Sequence, residues 1–167
     1  NKIVIATPDS SVVNYVKKKY RSNKIVTFLR SGNTAIINSP IDEIILNSFN
    51  KFKIRGRHYD CLMSISIEAP FRNHYDYDSM INVMKIFKTD SVVAVNQETD
   101  NFYKHLGSGL KILNDNKKLK LERNEIYRQV GKFYLIGKNL LKNKKTAPEG
   151  NIGHIVLDNI SSFALDN

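Results

Sequence analysis

Short runs of apolar residues alternate, along most of the chain, with stretches in which apolar residues recur every three or four positions. The short runs have the length and composition of buried strands, and the longer stretches have the spacing of amphipathic helices. Strands that alternate with helices in this way are joined by parallel crossovers, with helices on both faces of the sheet. The pattern therefore predicts a three-layer α/β fold with a mostly parallel sheet, whose strands include residues 3–7, 25–29, 61–67 and 91–95.

The clearest predicted helix begins at Pro40, a residue that suits the first helical position. Ser39 can cap this helix, and the acidic residues Asp42 and Glu43 favour its positive end. A single apolar stripe then follows at helical spacing, and we expect it to face the core. The stripe consists of Ile41, Ile44, Ile45, Phe49 and Phe52.

The pattern changes after Val95, where two alternating segments flank a run of turn residues. The segments are residues 110–113 and 119–122, with Asn114-Asp115-Asn116 between them. This arrangement predicts a hairpin that leaves the parallel sheet. Just before it, Gly107-Ser108-Gly109 is interpreted as a hairpin turn rather than as a phosphate-binding loop.

Two further apolar runs, residues 133–136 and 152–157, predict the last strands of the sheet. No internal repeat is visible. We therefore interpret residues 1–167 as a single domain, with residues 97–150 forming an excursion from its sheet.

Composition narrows the functional classes. The 26 Lys and Arg residues exceed the 16 Asp and Glu residues, and the net charge of +10 favours an anionic partner such as a nucleotide, a nucleic acid or an acidic sugar. No apolar stretch approaches the ~20 residues that cross a bilayer, so we expect no membrane association. Cys61 is the only cysteine, which excludes an internal disulfide or a cysteine cluster for zinc. We therefore expect a cytoplasmic protein.

Polar residues follow several predicted strands, at the edge where open α/β sheets bind their ligands. Thr7, Arg30, Pro70 and Arg72 all lie just past such carboxyl ends. Because an arginine can hold a carboxylate or a phosphate through two parallel hydrogen bonds, we predict that these residues line a substrate cleft. The alternative is that Arg72 is only a surface arginine. The acidic segment Asp76-Tyr77-Asp78 is interpreted as the start of a helix rather than as a metal motif.

Six segments, taken in order, resemble the sugar-activating cytidylyltransferases, above all the CMP-N-acylneuraminate synthetases and more distantly the CMP-Kdo synthetases. The resemblance covers nearly the whole chain and implies a Rossmann-like nucleotidyltransferase fold. The segments are Ile3–Asp9, Phe28–Pro40, Ile65–Arg72, Asp90–Val95, Arg123–Ile136 and Ile152–Asp166.

The resemblance implies transfer of CMP from CTP to a sugar acid, with release of pyrophosphate and with Mg²⁺ neutralising the phosphates. It also implies a homodimer built by the excursion. By the same resemblance, the nucleotide is bound by Thr7, Arg30 and Ser39, and the sugar acid by Pro70, Arg72 and Arg123. Asp166 is implied as the metal ligand, and Arg72 and Asp166 as the catalytic residues.

The sequence departs from the family pattern at several of these positions. Ser66 replaces a glutamine, Glu68-Ala69 replaces a Thr-Ser pair, and Ile37 and Ala164 replace two aspartates. The family's first strand and its basic, glycine-rich phosphate loop would lie upstream of Asn1, so we expect the 167-residue chain alone to be inactive. These departures favour, as an alternative, a catalytically silent domain of the same fold that binds a nucleotide or a sugar or that dimerises. A basic nucleic-acid-binding module is a third, less favoured alternative.

Overall fold

The computed structural model describes residues 2–32, 41–53, 59–113 and 126–165. The chain divides into two compact units. Unit 1 consists of Asn1–Leu62 and Lys138–Ala147, and unit 2 consists of Met63–Gly137 and Pro148–Asn167. The interpretation of the chain as a single domain with an excursion over residues 97–150 stays a prediction.

Unit 1 contains a strand-helix-strand motif. Strands β1 (Ile3–Thr7) and β2 (Ile25–Leu29) pair in parallel, from Ile3 opposite Ile25 to Thr7 opposite Leu29. Helix α1 (Ser10–Lys19) connects them, and the Asp9 side chain caps it by accepting a hydrogen bond from the Ser11 amide at 2.7 Å. Both strands therefore have the bounds and the parallel direction that the alternation predicts.

The second helix of unit 1, α2, spans Ile41–Lys53 and has the predicted two faces. Ile45 is buried, and Ile41, Ile44 and Phe49 are half-buried, whereas Asp42, Glu43, Asn47 and Asn50 are exposed. The expectation that the apolar stripe faces the core is thereby confirmed for these four apolar residues. Ser39, Pro40 and the side chain of Phe52 lie outside the described residues.

Unit 2 is built on a mixed sheet. The strands of this sheet are β3 (Cys61–Ser64), β4 (Ser91–Glu98), β7 (Ile126–Gly137) and β8 (Ile152–Val156), and they lie in the order β3-β7-β4-β8. The boundary between the two units falls within β3, after Leu62. Strand β4 pairs in parallel with β8 but antiparallel with β7. The α/β class is confirmed. The sheet of unit 2 is mixed rather than mostly parallel, and β1 and β2 pair in a two-stranded sheet of their own, so the four predicted strands do not share one sheet.

Strand β3 ends at Ser64, three residues earlier than predicted. Beyond it, the amide of Glu68 donates a hydrogen bond to the Ser66 hydroxyl, which in turn donates to the Glu68 carboxylate at 2.9 Å. These local bonds turn the chain out of the strand and leave Ile67 96% exposed. The prediction that this strand continues to residue 67 was wrong.

The core of unit 2 lies between its sheet and helix α3 (His74–Phe87), which packs against β4, β7 and β8. Asn73 and Asp76 form a capping box at the start of α3, which confirms the interpretation of Asp76 as a helix-start residue. Fully buried apolar side chains from α3, β4 and β7 fill the interior. They include Met80, Val92, Val130, Phe133, Leu135 and Ile136.

A short hairpin precedes β7 in the chain. Strands β5 (Tyr103–His105) and β6 (Leu110–Ile112) pair antiparallel, and the Leu106 amide donates to the Gly109 carbonyl across the turn. Gly107-Ser108-Gly109 is therefore a hairpin turn, as predicted. The second predicted arm, residues 119–122, lies outside the described residues, and the homodimer stays a prediction.

The last helix, α4, spans Lys138–Lys142 in unit 1. The Thr146 hydroxyl that follows it donates to the Asp42 carboxylate at 2.6 Å, which links this segment to the start of α2. In the part of the chain that the structure describes, no helix is long and apolar enough to cross a membrane.

Candidate functional site

Two of the predicted nucleotide-binding residues lie side by side at the carboxyl end of the β1–β2 pair. The amide of Arg30 donates to the Thr7 carbonyl at 2.8 Å, and the Thr7 hydroxyl accepts from the Asp9 amide at 3.2 Å. The Nε of Arg30 is buried and has no hydrogen-bond partner among the described residues. The structure thus brings Thr7 and Arg30 together in unit 1, whereas Ser39 lies outside the described residues.

Arg72, in the loop after β3, belongs to unit 2 and is half-buried. Its guanidinium carbon lies 4.4 Å from the centre of the Phe133 ring, and its Nη2 donates to the Val130 carbonyl at 3.4 Å. Its Nε and Nη1 are buried without hydrogen-bond partners within the described ranges. Desolvation lowers the pKa of Arg72 below its ordinary value, against the opposing effects of Tyr77 and Asp76.

The guanidinium of Arg72 lies against a bulge in β7. On either side of this bulge, Tyr134 pairs with Val93 and Gln129 pairs with Val95, so residues 130–133 lie opposite the single residue Ala94. Within it, Gly131 has a φ of +56°, and a Cβ there would lie 3.7 Å from Nη2 of Arg72. Arg72 therefore supports the bulge, and its role in binding a ligand stays a prediction.

Pro70 is exposed in the same loop, and its neighbours join the loop to the carboxyl-terminal segment of unit 2. The Leu165 amide donates to the Glu68 carbonyl at 2.8 Å, and the rings of Phe71 and Phe163 lie 6.0 Å apart. The two segments to which the resemblance assigned substrate and metal residues are thus in contact in unit 2.

A polar cleft of about 570 Å³ opens beside this contact. Phe163 and Ala164 form part of one wall, and Val130 and Gly131 of the β7 bulge form another. The Val130 carbonyl accepts the hydrogen bond from Arg72, which does not itself line the cleft. The remaining lining is mostly amide, hydroxyl and charged side chains, including Asn96, Thr99, Asp100, Arg128, Asn159 and Ser162.

A partly buried hydrogen-bond network joins three residues that line this cleft. The Asn96 amide nitrogen donates to the Ser162 hydroxyl at 2.7 Å and to the Asn159 side-chain oxygen at 3.2 Å, and the Ser162 hydroxyl donates to the Asn159 carbonyl. Asn159 and Ser162 belong to a turn over residues 159–162. Asp158 stabilises this turn, because its carboxylate accepts hydrogen bonds from the amides of Ser161 and Ile160, both at 2.8 Å. These hydrogen bonds lower the pKa of Asp158, and the bond from the Ser161 amide has the largest effect.

Sequence reasoning missed this network. The signal was present at Asn96, an amide residue that directly follows the apolar run of β4 and is nevertheless buried. Buried amide groups are almost always hydrogen-bonded, so an amide at the end of a core strand indicates a polar partner across the sheet.

The described residues of the cleft do not bring three metal-binding side chains together. Glu98 is paired with Arg128, whose Nε lies 2.5 Å from a Glu98 carboxylate oxygen. Ala164 contributes no donor, and within the described residues no three His, Cys, Asp or Glu side chains are grouped to hold a metal ion. Asp166 and Arg123 lie outside the described residues, so their assigned roles stay predictions.

The two units differ sharply in charge. Unit 1 contains 15 Lys and Arg against four Asp and Glu, a net charge of +11, whereas unit 2 contains 11 against 12, a net charge of −1. The excess positive charge of the whole chain therefore belongs to unit 1, the unit that contains Thr7 and Arg30. Such a charge raises the local concentration of anionic ligands.

Comparison with solved structures gives matches over nearly the whole chain. The 4-diphosphocytidyl-2C-methyl-D-erythritol synthase of Anaerococcus prevotii has a TM-score of 0.64 and 11% sequence identity, and the match covers 98% of this chain and 72% of that one. The 2-C-methyl-D-erythritol 4-phosphate cytidylyltransferase of Thermus thermophilus has a TM-score of 0.55 and 9% identity, with 99% and 76% covered. The chain has a cytidylyltransferase-like fold.

At these identities the likeness shows the cytidylyltransferase-like fold alone. It confirms the fold that the sequence resemblance implied. The names of both neighbours refer to 2-C-methyl-D-erythritol and not to a sugar acid, so the finer resemblance to the CMP-N-acylneuraminate synthetases is not shown. No family model and no curated protein sequence matches the chain.

Proposed function

We propose that this chain is a nucleotidyltransferase-type domain that acts in the transfer of CMP from CTP to a sugar acid, with release of pyrophosphate. The observation that carries the proposal is the cytidylyltransferase-like fold over 98% of the chain, which agrees with the order of the six resembling segments. The sugar acid itself rests on the sequence resemblance, because the two solved neighbours are named for a phosphosugar or its cytidylyl product.

Unit 1 is proposed to bind CTP. Its net charge of +11 suits a triphosphate, and Thr7 and Arg30 lie at the strand ends where folds of this kind bind ligands. The buried Nε of Arg30, which has no partner among the described residues, is a donor available to an anion after a small side-chain movement. Ser39 is proposed to complete this nucleotide site.

Unit 2 is proposed to bind the acceptor sugar in its polar cleft. A volume of about 570 Å³ is within the range of small-molecule sites, and the amide and hydroxyl groups that line it suit the hydroxyl groups of a sugar. Arg128, which lines the cleft, and Arg72, which binds the Val130 carbonyl of its lining, are proposed to favour an acceptor that carries a carboxylate. Pro70 and Arg123 are assigned to the same substrate by the resemblance.

In the proposed reaction a sugar hydroxyl attacks the α-phosphate of CTP, the bond to the β-phosphate breaks, and pyrophosphate leaves. Such a reaction needs chiefly positioning and neutralisation of charge, which arginine side chains provide. The assignment of Mg²⁺ to Asp166 rests on the resemblance, and the described residues do not by themselves form its site.

A second candidate function is a catalytically silent domain that binds the same ligands. Ala164 favours it, because the resemblance places a carboxylate at this position, whereas Ala164, which lines the cleft, has none. The 167-residue chain is accordingly expected to bind substrates but to make little CMP-sugar by itself.

Calorimetry and a pyrophosphate-release assay on the same protein test both candidates. The ligands are CTP, N-acetylneuraminate, Kdo and 2-C-methyl-D-erythritol 4-phosphate, each measured with magnesium present. Binding of CTP and of a sugar acid is the expected result. Binding with no turnover supports the silent domain, turnover with the phosphosugar alone would reassign the acceptor, and binding of neither CTP nor any acceptor would overturn the proposal.

Arg72→Ala is expected to weaken acceptor binding by about 1.5–3 kcal/mol, the cost of losing a hydrogen bond from a charged donor. Because Arg72 also supports the β7 bulge, urea denaturation of the same variant must show that the domain stays folded. Lys132→Ala, at an exposed position in the same bulge, is the matched control. Equal acceptor affinity in the wild type and in Arg72→Ala would leave Arg72 with its structural role only.

A further inference from the structure

Six basic residues of unit 1 gather at one edge of its two-stranded sheet. Because α1 joins two parallel strands, it runs antiparallel to them, and its last turn lies at their amino ends. Lys17, Lys18 and Lys19 form that last turn, Arg21 follows the helix, and Lys2 and Lys24 directly precede β1 and β2. The Ile3 amide donates to the Lys24 carbonyl at 2.8 Å, which holds the two strand starts together. With Tyr15 and Tyr20, these six residues are called the amino-edge surface.

The amino-edge surface lies at the opposite end of the β1–β2 pair from Thr7 and Arg30. The proposed nucleotide site therefore does not use it. Lysines in the last turn of a helix favour the negative end of the helix dipole, but Lys2, Arg21 and Lys24 lie outside the helix and gain nothing in this way. The cluster needs another explanation.

No acidic residue balances this cluster locally. Between Asp9 and Asp42 the sequence contains no Asp or Glu, and Asp9 caps the far end of α1. The structure gives none of these six basic residues an ion pair with any residue in the described ranges. Like charges held this close repel one another, and an anionic ligand would relieve the repulsion.

The two tyrosines place exposed aromatic rings beside these cations. Tyr15 is 57% exposed and Tyr20 is 46% exposed. The Lys19 ammonium donates to the Tyr15 hydroxyl at 2.8 Å, and it lies 5.2 Å and 5.7 Å from the ring centres of Tyr15 and Tyr20. One ammonium thus bridges two exposed rings, which is an arrangement of cation and aromatic faces suited to unpaired bases.

We propose that the amino-edge surface binds single-stranded nucleic acid, with its lysines and Arg21 on the phosphates and its tyrosines stacked on bases. A duplex is disfavoured because paired bases are already stacked on one another and do not offer their faces to the tyrosine rings. An anionic membrane is disfavoured because Val13 and Val16, the apolar residues that α1 would need to insert, are buried in the protein.

The test uses fluorescence anisotropy of the 167-residue chain with labelled oligo-dT and oligo-U of about 15 nucleotides, the upper range of one such site. Affinity is measured between about 50 and 200 mM salt, where each phosphate contact to a single strand contributes about −0.7 to the slope of log affinity against log salt. Replacing Lys17, Lys18 and Lys19 by Gln is expected to make that slope shallower by about 2. The matched control replaces Lys85, Lys104 and Lys132 of unit 2 by Gln, and is expected to leave the slope unchanged.

Base stacking is tested separately. The double variant Tyr15→Leu, Tyr20→Leu is expected to weaken binding at least about fivefold, the lower limit for loss of one stacked base. The matched control is Tyr75→Leu, Tyr103→Leu, which changes two exposed tyrosines of unit 2. Circular dichroism of each variant shows that the fold is retained.

Four results would overturn the proposal. The first is an equal change of the salt slope in the unit 2 lysine variant and in the unit 1 lysine variant, and the second is unchanged oligonucleotide affinity in the Tyr15/Tyr20 variant. The third is an affinity for a hairpin duplex equal to that for the single strands, and the fourth is binding to phosphatidylserine vesicles without binding to the oligonucleotides. A fifth result would overturn the assignment of separate sites: displacement of the oligonucleotide by CTP at the dissociation constant of CTP, which would show that the two ligands share one site.

Discussion

Units 1 and 2 differ in how tightly they are packed as well as in charge. Among the described residues, the largest side chains with less than 2% of their surface exposed all belong to unit 2, and they include Met80, Phe133 and Ile136. In the described part of unit 1 the best-buried apolar residues are Leu141, Val16 and Ile45, which keep 3–7% of their surface exposed. Unit 2 is thus dense and nearly neutral, whereas unit 1 is more loosely packed and strongly basic.

The difference in charge between the two units has opposite consequences for stability and for ligand binding. A net charge of +11 destabilises a small unit through self-repulsion and at the same time attracts anions. A ligand that binds only the folded state adds stability that increases with the logarithm of its concentration once this exceeds the dissociation constant. We therefore expect unit 1 to gain more from an anionic ligand than unit 2.

The largest expected effect comes from a matched pair of leucines. Leu135→Ala in unit 2 removes a side chain that is 1% exposed, and Leu141→Ala in unit 1 removes one that is 3% exposed. Such substitutions cost about 2–5 kcal/mol, and we expect Leu135 at the upper end and Leu141 at the lower end, because loosely packed surroundings collapse more easily into a cavity. Urea denaturation followed by circular dichroism gives the two values, and hydrogen exchange assigns them to each unit. A larger loss for Leu141→Ala would contradict the difference in packing.

A smaller effect is expected from two glycines with the same backbone angle. Gly131 in the β7 bulge and Gly32 after β2 both have a φ of +56°. An alanine held at that angle costs about 1–2 kcal/mol. We expect Gly131→Ala to show this full cost because the strand pairs on both sides fix the bulge, and Gly32→Ala to show less because its backbone has open space in which to relax. Equal losses in urea denaturation would show that both positions are held equally firmly.

The smallest expected effect is on the loss of stability at acid pH. Hydrogen bonds from backbone amides, chiefly that of Ser11 to Asp9 and that of Ser161 to Asp158, lower the pKa of one carboxyl group in each unit. A carboxyl whose pKa is lower in the folded state stabilises the protein above its unfolded pKa, and this contribution is lost as the pH falls through the folded pKa. Asp9→Asn and Asp158→Asn keep an acceptor oxygen but do not titrate. Each variant should therefore lose less stability between neutral and acid pH than the wild type, as measured by urea denaturation. A loss as large as in the wild type would show that the carboxyl in question contributes nothing.

Individual strands and helices were predictable because their bounds depend on residues that are close together in the sequence. The apolar runs gave β1 and β2 their bounds, and the spacing of Ile41, Ile44 and Ile45 indicated the buried face of α2. The direction of β7 was not predictable, because strand direction depends on a partner distant in the chain. The end of β3 was misjudged because Ile65 and Ile67 look like strand residues, whereas the Ser66–Glu68 bonds turn them outward.

The candidate site was predictable only in part. Thr7 ends β1 and Arg30 follows β2, and parallel pairing brings these two positions to one edge. Their proximity could therefore be expected from the sequence, whereas their role in binding stays a prediction. The surroundings of Arg72 were not predictable, because they depend on a bulge some 60 residues away in the chain, at Val130. The cleft network of Asn96 and Ser162 was missed for the same reason, since its partners are far apart in the chain and meet only in the folded protein.

The bulge in β7 also has an evolutionary consequence. On β4, the two residues that flank the bulge, Val93 and Val95, are separated only by Ala94. On β7, the number of residues between their partners Tyr134 and Gln129 can change without altering this separation. A residue gained or lost within 130–133 therefore leaves the pairs on both sides, and the faces that their side chains occupy, as they are. We expect homologous chains to differ in length at this point of the strand, where a gap in an alignment would mark a change of cleft wall rather than a change of fold.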